Sequence, residues 1–298
     1  MYWLALSLIA ALATSLTTIF SKIGLKNVNS NFATLYRTSI VIIFAFLMCL
    51  ITGSLNSIAS LTLENYVFLL ISGLCTGLSW LCYFKALKFS NVNKVAPIDK
   101  SSFILTTILF LIFFFDSTTH NGDIKTIIAL IVSIVLMLIG TLLMVVTKNE
   151  NTIKNKTWLI YAILSSVFAA LVTFFVKLGL QNINSNVGTF LRTLVVFAFA
   201  LAIVLFKKDY KGVKIITIKG WLFLTLSSIA TGIAWLSEYA AYNVEGSNAV
   251  TINSIGKLAI LFTMLFSIIV LKEKFTFRSI IGLIFLTAGI ILIVAFSL

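Results

Sequence analysis

Apolar runs of about twenty residues, parted by short polar connectors, recur ten times along this chain: 2–22, 33–53, 64–86, 95–115, 124–146, 157–178, 188–206, 219–242, 249–271 and 279–297. A hydrocarbon layer about 30 Å thick is crossed by about 20 residues at the helical rise. The pattern therefore predicts ten transmembrane helices. Lipid offers no partner to a backbone N–H or C=O, so each run must satisfy its own backbone as a helix. The short connectors make consecutive helices antiparallel and leave no room for a soluble domain. The single proline, Pro97, falls in the first turn of the fourth run, where its missing N–H costs little.

The pattern is written twice. Residues 22–38 read KIGLKNVNSNFATLYRT and residues 177–193 read KLGLQNINSNVGTFLRT, ten identities at a spacing of 155. The same spacing pairs Thr76-Gly77-Leu78-Ser79-Trp80-Leu81 with Thr231-Gly232-Ile233-Ala234-Trp235-Leu236. The chain divides into a first five-helix unit, 1–147, a polar hinge, 148–156, and a second unit, 157–298. Five is odd, so the second unit must enter the membrane upside down. The predicted fold class is an all-α integral membrane protein of ten helices in two inverted five-helix repeats. That architecture is common among secondary transporters, with substrate held between the repeats.

Composition agrees with a membrane solvent: of 298 residues, 60% are hydrophobic and 10% charged, with a mean hydropathy of +1.12. The net charge of +13 does not point to nucleic acid, because the cations sit in connectors rather than in one patch. On the predicted topology, 18 Lys and Arg residues face one side of the membrane and 4 the other. The cation-rich face is expected to be cytoplasmic, in a plasma or inner membrane, with both termini on the opposite side. The first run lacks a basic start and reads as a retained span rather than a signal peptide. Cys49, Cys75 and Cys82 lie inside apolar runs and are expected to be free thiols, with no disulfide and no metal site.

The stretch Leu271 to Val294, LKEKFTFRSIIGLIFLTAGIILIV, resembles the end of the ninth helix and the glycine-containing tenth helix of EamA-type members of the drug/metabolite transporter superfamily. Glu273 matches an acidic residue there, and its first-half counterpart is Asp116. Ser79 to Lys100, SWLCYFKALKFSNVNKVAPIDK, is similar to EamA repeats, including the short single-repeat bacterial members. The resemblance spans nearly the whole chain and implies an inverted-repeat transporter. It names no cargo, since members carry amino acids, sugars, nucleotide derivatives, choline and drugs. The halves depart from each other where Ala96-Pro97-Ile98-Asp99 meets Thr251-Ile252-Asn253-Ser254, with a two-residue shift in register.

Ionisable groups inside the spans are costly and mark candidate sites. Glu238 lies within the eighth run between Trp235 and Tyr239, and its counterpart is Tyr83, so the repeat does not require it. Lys257 lies in the ninth run, and Lys100 is its counterpart. In the functional reading, Lys257 or Lys100 holds a substrate carboxylate and Glu238 an amine or a coupling proton. In the plain alternative, Glu238 and Lys257 form an ion pair that ties two helices. Trp80 with Tyr83 and Trp235 with Tyr239 either line a cavity or pack. The matched pairs Lys22/Lys177 and Arg37/Arg192 are gate candidates, the alternative being long cations that snorkel to the interface. The turns at Asn27–Asn31 and Asn182–Asn186 are expected to cap the helices that follow. Helices five and ten, almost uniformly apolar, are expected to be peripheral and available for a homodimer contact.

Catalysis finds no support. The single histidine, His120, sits in a connector, and no phosphate loop, zinc spacing or nucleophile–base pair is present. No cofactor is expected. The leading expectation is a secondary or facilitative transporter of a small polar or zwitterionic metabolite, amino-acid-like and exported, working by alternating access at a midplane cavity. Membrane lipid is an expected neighbour. Lipid or lipid-linked carrier flipping and a non-transporting scaffold are the alternatives.

Overall fold

The computed structural model describes residues 2–24, 28–89, 95, 98–99, 101–115, 119, 122–145, 157–210, 216–266, 269–270 and 276–297. Among them are eleven α-helices and no strand: α1 Tyr2–Gly24, α2 Ser30–Ile51, α3 Leu63–Phe89, α4 Ser102–Phe113, α5 Ile124–Val145, α6 Thr157–Gly179, α7 Ser185–Lys207, α8 Ile218–Asn243, α9 Ala249–Gly256, α10 Leu258–Phe266 and α11 Phe277–Ser297. A 3-10 helix, Ser54–Ser60, joins α2 to α3. Nine described stretches, with α9 and α10 counted as one, are long and apolar enough to cross a membrane, and α4 is a shorter apolar helix. The protein is thus an all-helical, multi-pass membrane protein. Pro97, Lys100, Asp116, His120, Glu273 and the hinge 148–156 lie outside the described residues.

The ninth span is not the single helix expected over 249–271. It is interrupted at Lys257, where the backbone changes to i→i−3 bonding: Lys257 N–H reaches the Ser254 carbonyl at 2.9 Å and Ile260 N–H the Lys257 carbonyl at 3.0 Å. Gly256 stands beside the break, with open space where a side chain would project.

Helix contacts come in pairs related by the 155-residue spacing. α3 lies along α6 and α1 along α8; α2 meets α8 and α3 meets α7; α4 meets α6, while α9 and α10 meet α1. α2 crosses α7, and α5 packs against α11. Hydrophobic burial gives helices little drive to associate in lipid, so close van der Waals approach matters more. Small residues supply it at equivalent places. A Cβ on Gly24 would stand 2.9 Å from the Leu224 nitrogen, and one on Gly179 would stand 3.1 Å from the Leu69 nitrogen. α5 and α11 meet through Gly140 and Gly282, each of which would bring a Cβ within 2.6 Å of the other's carbonyl oxygen. Their outer faces, with Ile128, Ile131 and Val135 on α5 and Ile280, Ile284 and Ile291 on α11, are exposed.

The asparagine turns do cap helices. Asn29 accepts from Asn31 N–H at 2.8 Å, and Asn184 accepts from Asn186 N–H at 2.9 Å. A third cap opens α9, where buried Asn248 accepts from the N–H groups of Val250 and Thr251 at 3.0 and 3.2 Å. Removing it leaves those donors unsatisfied in a helix whose residues 249–255 are all buried. Asn248→Ala is therefore expected to destabilise the protein by about 1–2 kcal/mol, read as a lower melting temperature in detergent. An unchanged midpoint would show that the cap contributes nothing.

Candidate functional site

The matched Arg and Thr residues meet across the two halves. Arg192 on α7 donates through Nη2 to the Thr76 hydroxyl on α3 at 2.7 Å, and Arg37 on α2 donates through Nη2 to the Thr231 hydroxyl on α8, also at 2.7 Å. Each threonine donates in turn to a carbonyl one turn back: Thr76 to Ser72 at 2.9 Å and Thr231 to Ser227 at 2.8 Å. The threonine hydroxyl thus uses both its roles, and only a donor such as guanidinium can complete it. Both cross-half bonds are made in this one conformation, so what separates the two ends is their surroundings.

Arg192 is 2% exposed, whereas Arg37 is half-buried. The Arg192 guanidinium lies over the Trp235 ring, 4.7 Å from its centre, and 5.6 Å from the centre of the Tyr239 ring. No such stack is seen on Arg37 among the described residues. Cation over a desolvated ring is worth about 2 kcal/mol. Glu238, on the same turn of α8, feels the charges of Lys257 and Arg192. Tyr242, one turn on, feels Glu238. One carboxylate, two cations and three aromatic residues on α7, α8 and the α9–α10 break therefore form one cluster. It lies toward the C-terminal end of α8.

The cluster is short of partners. Nε and Nη1 of Arg192, the Tyr242 hydroxyl, and Asn253 Nδ2 and Thr251 Oγ1 on α9 are buried without a hydrogen-bond partner. Buried polar atoms left unpaired cost about 1–3 kcal/mol each, so such a concentration is unusual in a purely structural core.

Other sequence candidates are placed elsewhere. Lys177 does not reach for the interface. Half-buried, it donates to the Tyr242 carbonyl at 2.7 Å, with its Nζ 5.5 Å from the centre of the Tyr242 ring. There it meets the negative end of α8. Its counterpart Lys22 is exposed. Trp80 is not stacked on an arginine as Trp235 is; with Asn31, Thr34, Leu81, Ala200 and Ile203 it lines a shallow groove among α2, α3 and α7. Tyr83 packs with Trp158 and Tyr161 against Ala86, Val95 and Ala162.

Three participants carried a signal that sequence reasoning passed over. Thr76 and Thr231 recur at the repeat spacing together with Arg37 and Arg192, and that joint recurrence marks the two bonds. Asp99, an acid inside the fourth apolar run, accepts from the Ser165 hydroxyl at 2.6 Å, and Ser165 also meets Ser79 of α3. Asp99 thereby links the fourth span to α6 and α3.

Two buried apolar clusters are seen among the described residues. The larger buried cluster contains Trp3, Phe103, Phe110, Phe174, Tyr239 and Tyr242 with most of α9. The cluster takes in residues near both chain ends, Trp3 and Ile293. The smaller cluster forms around Tyr83. α9 is wholly buried up to Ile255, while most of α10 is half-buried.

Comparison with known proteins agrees with this architecture. A relative from Sinorhizobium sp, described as an uncharacterized transporter in the cobO 3' region, is 34% identical over 142 residues, which is 48% of this chain and 99% of the relative. A full relative thus corresponds to about half of this chain. A solved crystal structure, titled only as that of a protein, superposes with a TM-score of 0.75 over 99% of this chain and 98% of its own, at 12% identity, a likeness of fold alone. The sequence profile of the EamA-like transporter family matches residues 1–146 and again residues 156–295. Matched almost end to end by that profile, this multi-pass membrane protein belongs to the EamA-like transporter family and is a membrane transporter.

Proposed function

We propose that this transporter moves a small zwitterionic metabolite, amino-acid-like, by alternating access around the Arg192–Glu238 cluster. The observation that carries the reading is the cluster itself: opposite charges within electrostatic reach, aromatic walls and buried donors with no partner. A zwitterion supplies both missing charges at once. Its ammonium meets Glu238, its carboxylate meets the cations, and its side chain meets the aromatic rings. Glu238 also serves as the site for a coupling proton.

The two halves act as inverted repeats that rock against each other. Support comes from the paired helix contacts, the twin Arg–Thr bonds and a relative the length of one half. Among the described residues a large aromatic cluster gathers Trp3, Phe110, Phe174, Tyr239 and Tyr242 with most of α9. With the cation-rich face cytoplasmic, a cytoplasmic solute loads from that face for export.

The reading is tested by a thermal-shift screen of purified protein against amino acids, choline-like amines, sugars and nucleosides. A ligand at a hundredfold excess over its Kd stabilises the folded state by about 2.7 kcal/mol. The expected hits are zwitterions, lost in Glu238→Gln. Stabilisation by sugars or nucleosides alone, or by anionic lipid and no solute, would overturn it.

A further inference from the structure

We propose that Arg192 is the carboxylate-binding residue of the substrate site and determines that the cargo must carry a carboxylate. This rests on the transporter reading above and assigns a role that the lysines were expected to fill. Three observations select Arg192. It is 2% exposed, and Nε and Nη1 have no partner of hydrogen-bond geometry although the Tyr239 hydroxyl stands near the guanidinium, so a charged fork remains inside the protein. Its third nitrogen, Nη2, is fixed on Thr76, and its face is fixed against Trp235 and Tyr239, so the plane cannot turn. Lys177, a further cation at this end of the bundle, is committed to the Tyr242 carbonyl, and Lys257, a single ammonium, offers no planar fork.

A guanidinium held in one plane favours a planar, two-oxygen acceptor, which a carboxylate provides. A cation buried in a membrane protein needs compensation. Glu238 gives Arg192 electrostatic compensation but makes no hydrogen bond to its two free nitrogens. A substrate carboxylate would supply those bonds. The Tyr242 hydroxyl and Asn253 Nδ2, also buried and unpartnered, add donors on α8 and α9. The matched Arg37 also holds a threonine and has a buried Nε without a partner, but it is more exposed than Arg192 and no aromatic stack is seen on it among the described residues.

The test uses the full chain in detergent, titrated with L-leucine, L-leucinamide and 4-methylpentanoate. Leucinamide lacks the carboxylate, and 4-methylpentanoate lacks the ammonium. Leucine and 4-methylpentanoate are expected to bind and leucinamide not. Arg192→Gln is expected to weaken both by about 30-fold or more, the loss typical when one partner of a buried charged hydrogen bond is removed. Arg192→Lys keeps the charge without the fork and covers the case in which Arg192→Gln does not fold. It is expected to weaken binding by about tenfold, and Glu238→Gln is expected to weaken leucine far more than 4-methylpentanoate. Equal binding of leucinamide, no binding of either carboxylate, unchanged affinity in Arg192→Lys, or stabilisation only by phosphatidylglycerol vesicles overturns the assignment. Counterflow in proteoliposomes separates the two levels. Wild-type flux with a solute that lacks a carboxylate refutes the Arg192 role alone, whereas no flux with any solute refutes the transporter reading.

Discussion

Glu238→Gln is expected to abolish flux driven by a pH gradient in proteoliposomes while leaving exchange of solute for solute in place. The carboxylate is the one acidic group in the cluster, and its neighbours are basic or aromatic: Arg192 on α7, Lys257 at the α9–α10 break, and Tyr239 and Tyr242 on α8. A proton taken up there leaves the two cations facing the substrate carboxylate. A proton released restores a counter-charge to them. Glutamine keeps the shape and one acceptor but holds no proton, so the empty site loses the state that returns under the gradient. The exchange reaction keeps the site occupied and needs no such return. Unchanged dependence of flux on the gradient in Glu238→Gln would remove Glu238 from the coupling step.

The second large effect concerns the α5–α11 pair. Gly140→Val is expected to lower the melting temperature by several degrees, corresponding to about 1–3 kcal/mol for an overpacked contact. A Cβ there would meet the Gly282 carbonyl and the Leu286 nitrogen, both at 2.6 Å, and backbone cannot swing aside as a side chain can. The two helices must separate, and much of their mutual contact is lost with them. Gly256→Ala is the matched control, because nothing lies within 4 Å of the added methyl. It is expected to leave stability unchanged or raise it by up to about 1 kcal/mol through helix propensity. If both variants melt together with the wild type, the close approach of α5 and α11 is not a source of stability.

The spans were legible because lipid leaves the chain one solution: a run of about twenty apolar residues must be helical. The asparagine caps were legible because Asn29 and Asn184 stand where a helix needs a first acceptor. The break at Lys257 was not read, although Gly256 beside it was a signal; an apolar run reports its length but not an interruption in its hydrogen bonding. The site was half legible. Glu238, Trp235 and Tyr239 announced themselves as costly or out of place. The stack of Trp235 on Arg192 and the bond of Lys177 to Tyr242 depend on which helices touch, and a repeat spacing alone does not give that. The match of Lys22 with Lys177 likewise does not say what each side chain meets. Their sequences match, but one is exposed and the other is held under the end of α8.

The central claim is that a zwitterion crosses the membrane through this protein by alternating exposure of one site. Counterflow tests it most directly. Proteoliposomes containing the wild-type chain are loaded with unlabelled L-leucine and placed in a trace of labelled L-leucine, with other α-amino acids run in parallel. Transient accumulation of label above its external level, absent in empty liposomes and in Arg192→Gln, is the predicted result. Entry of label that only equilibrates, or accumulation that is equal in Arg192→Gln, would contradict it.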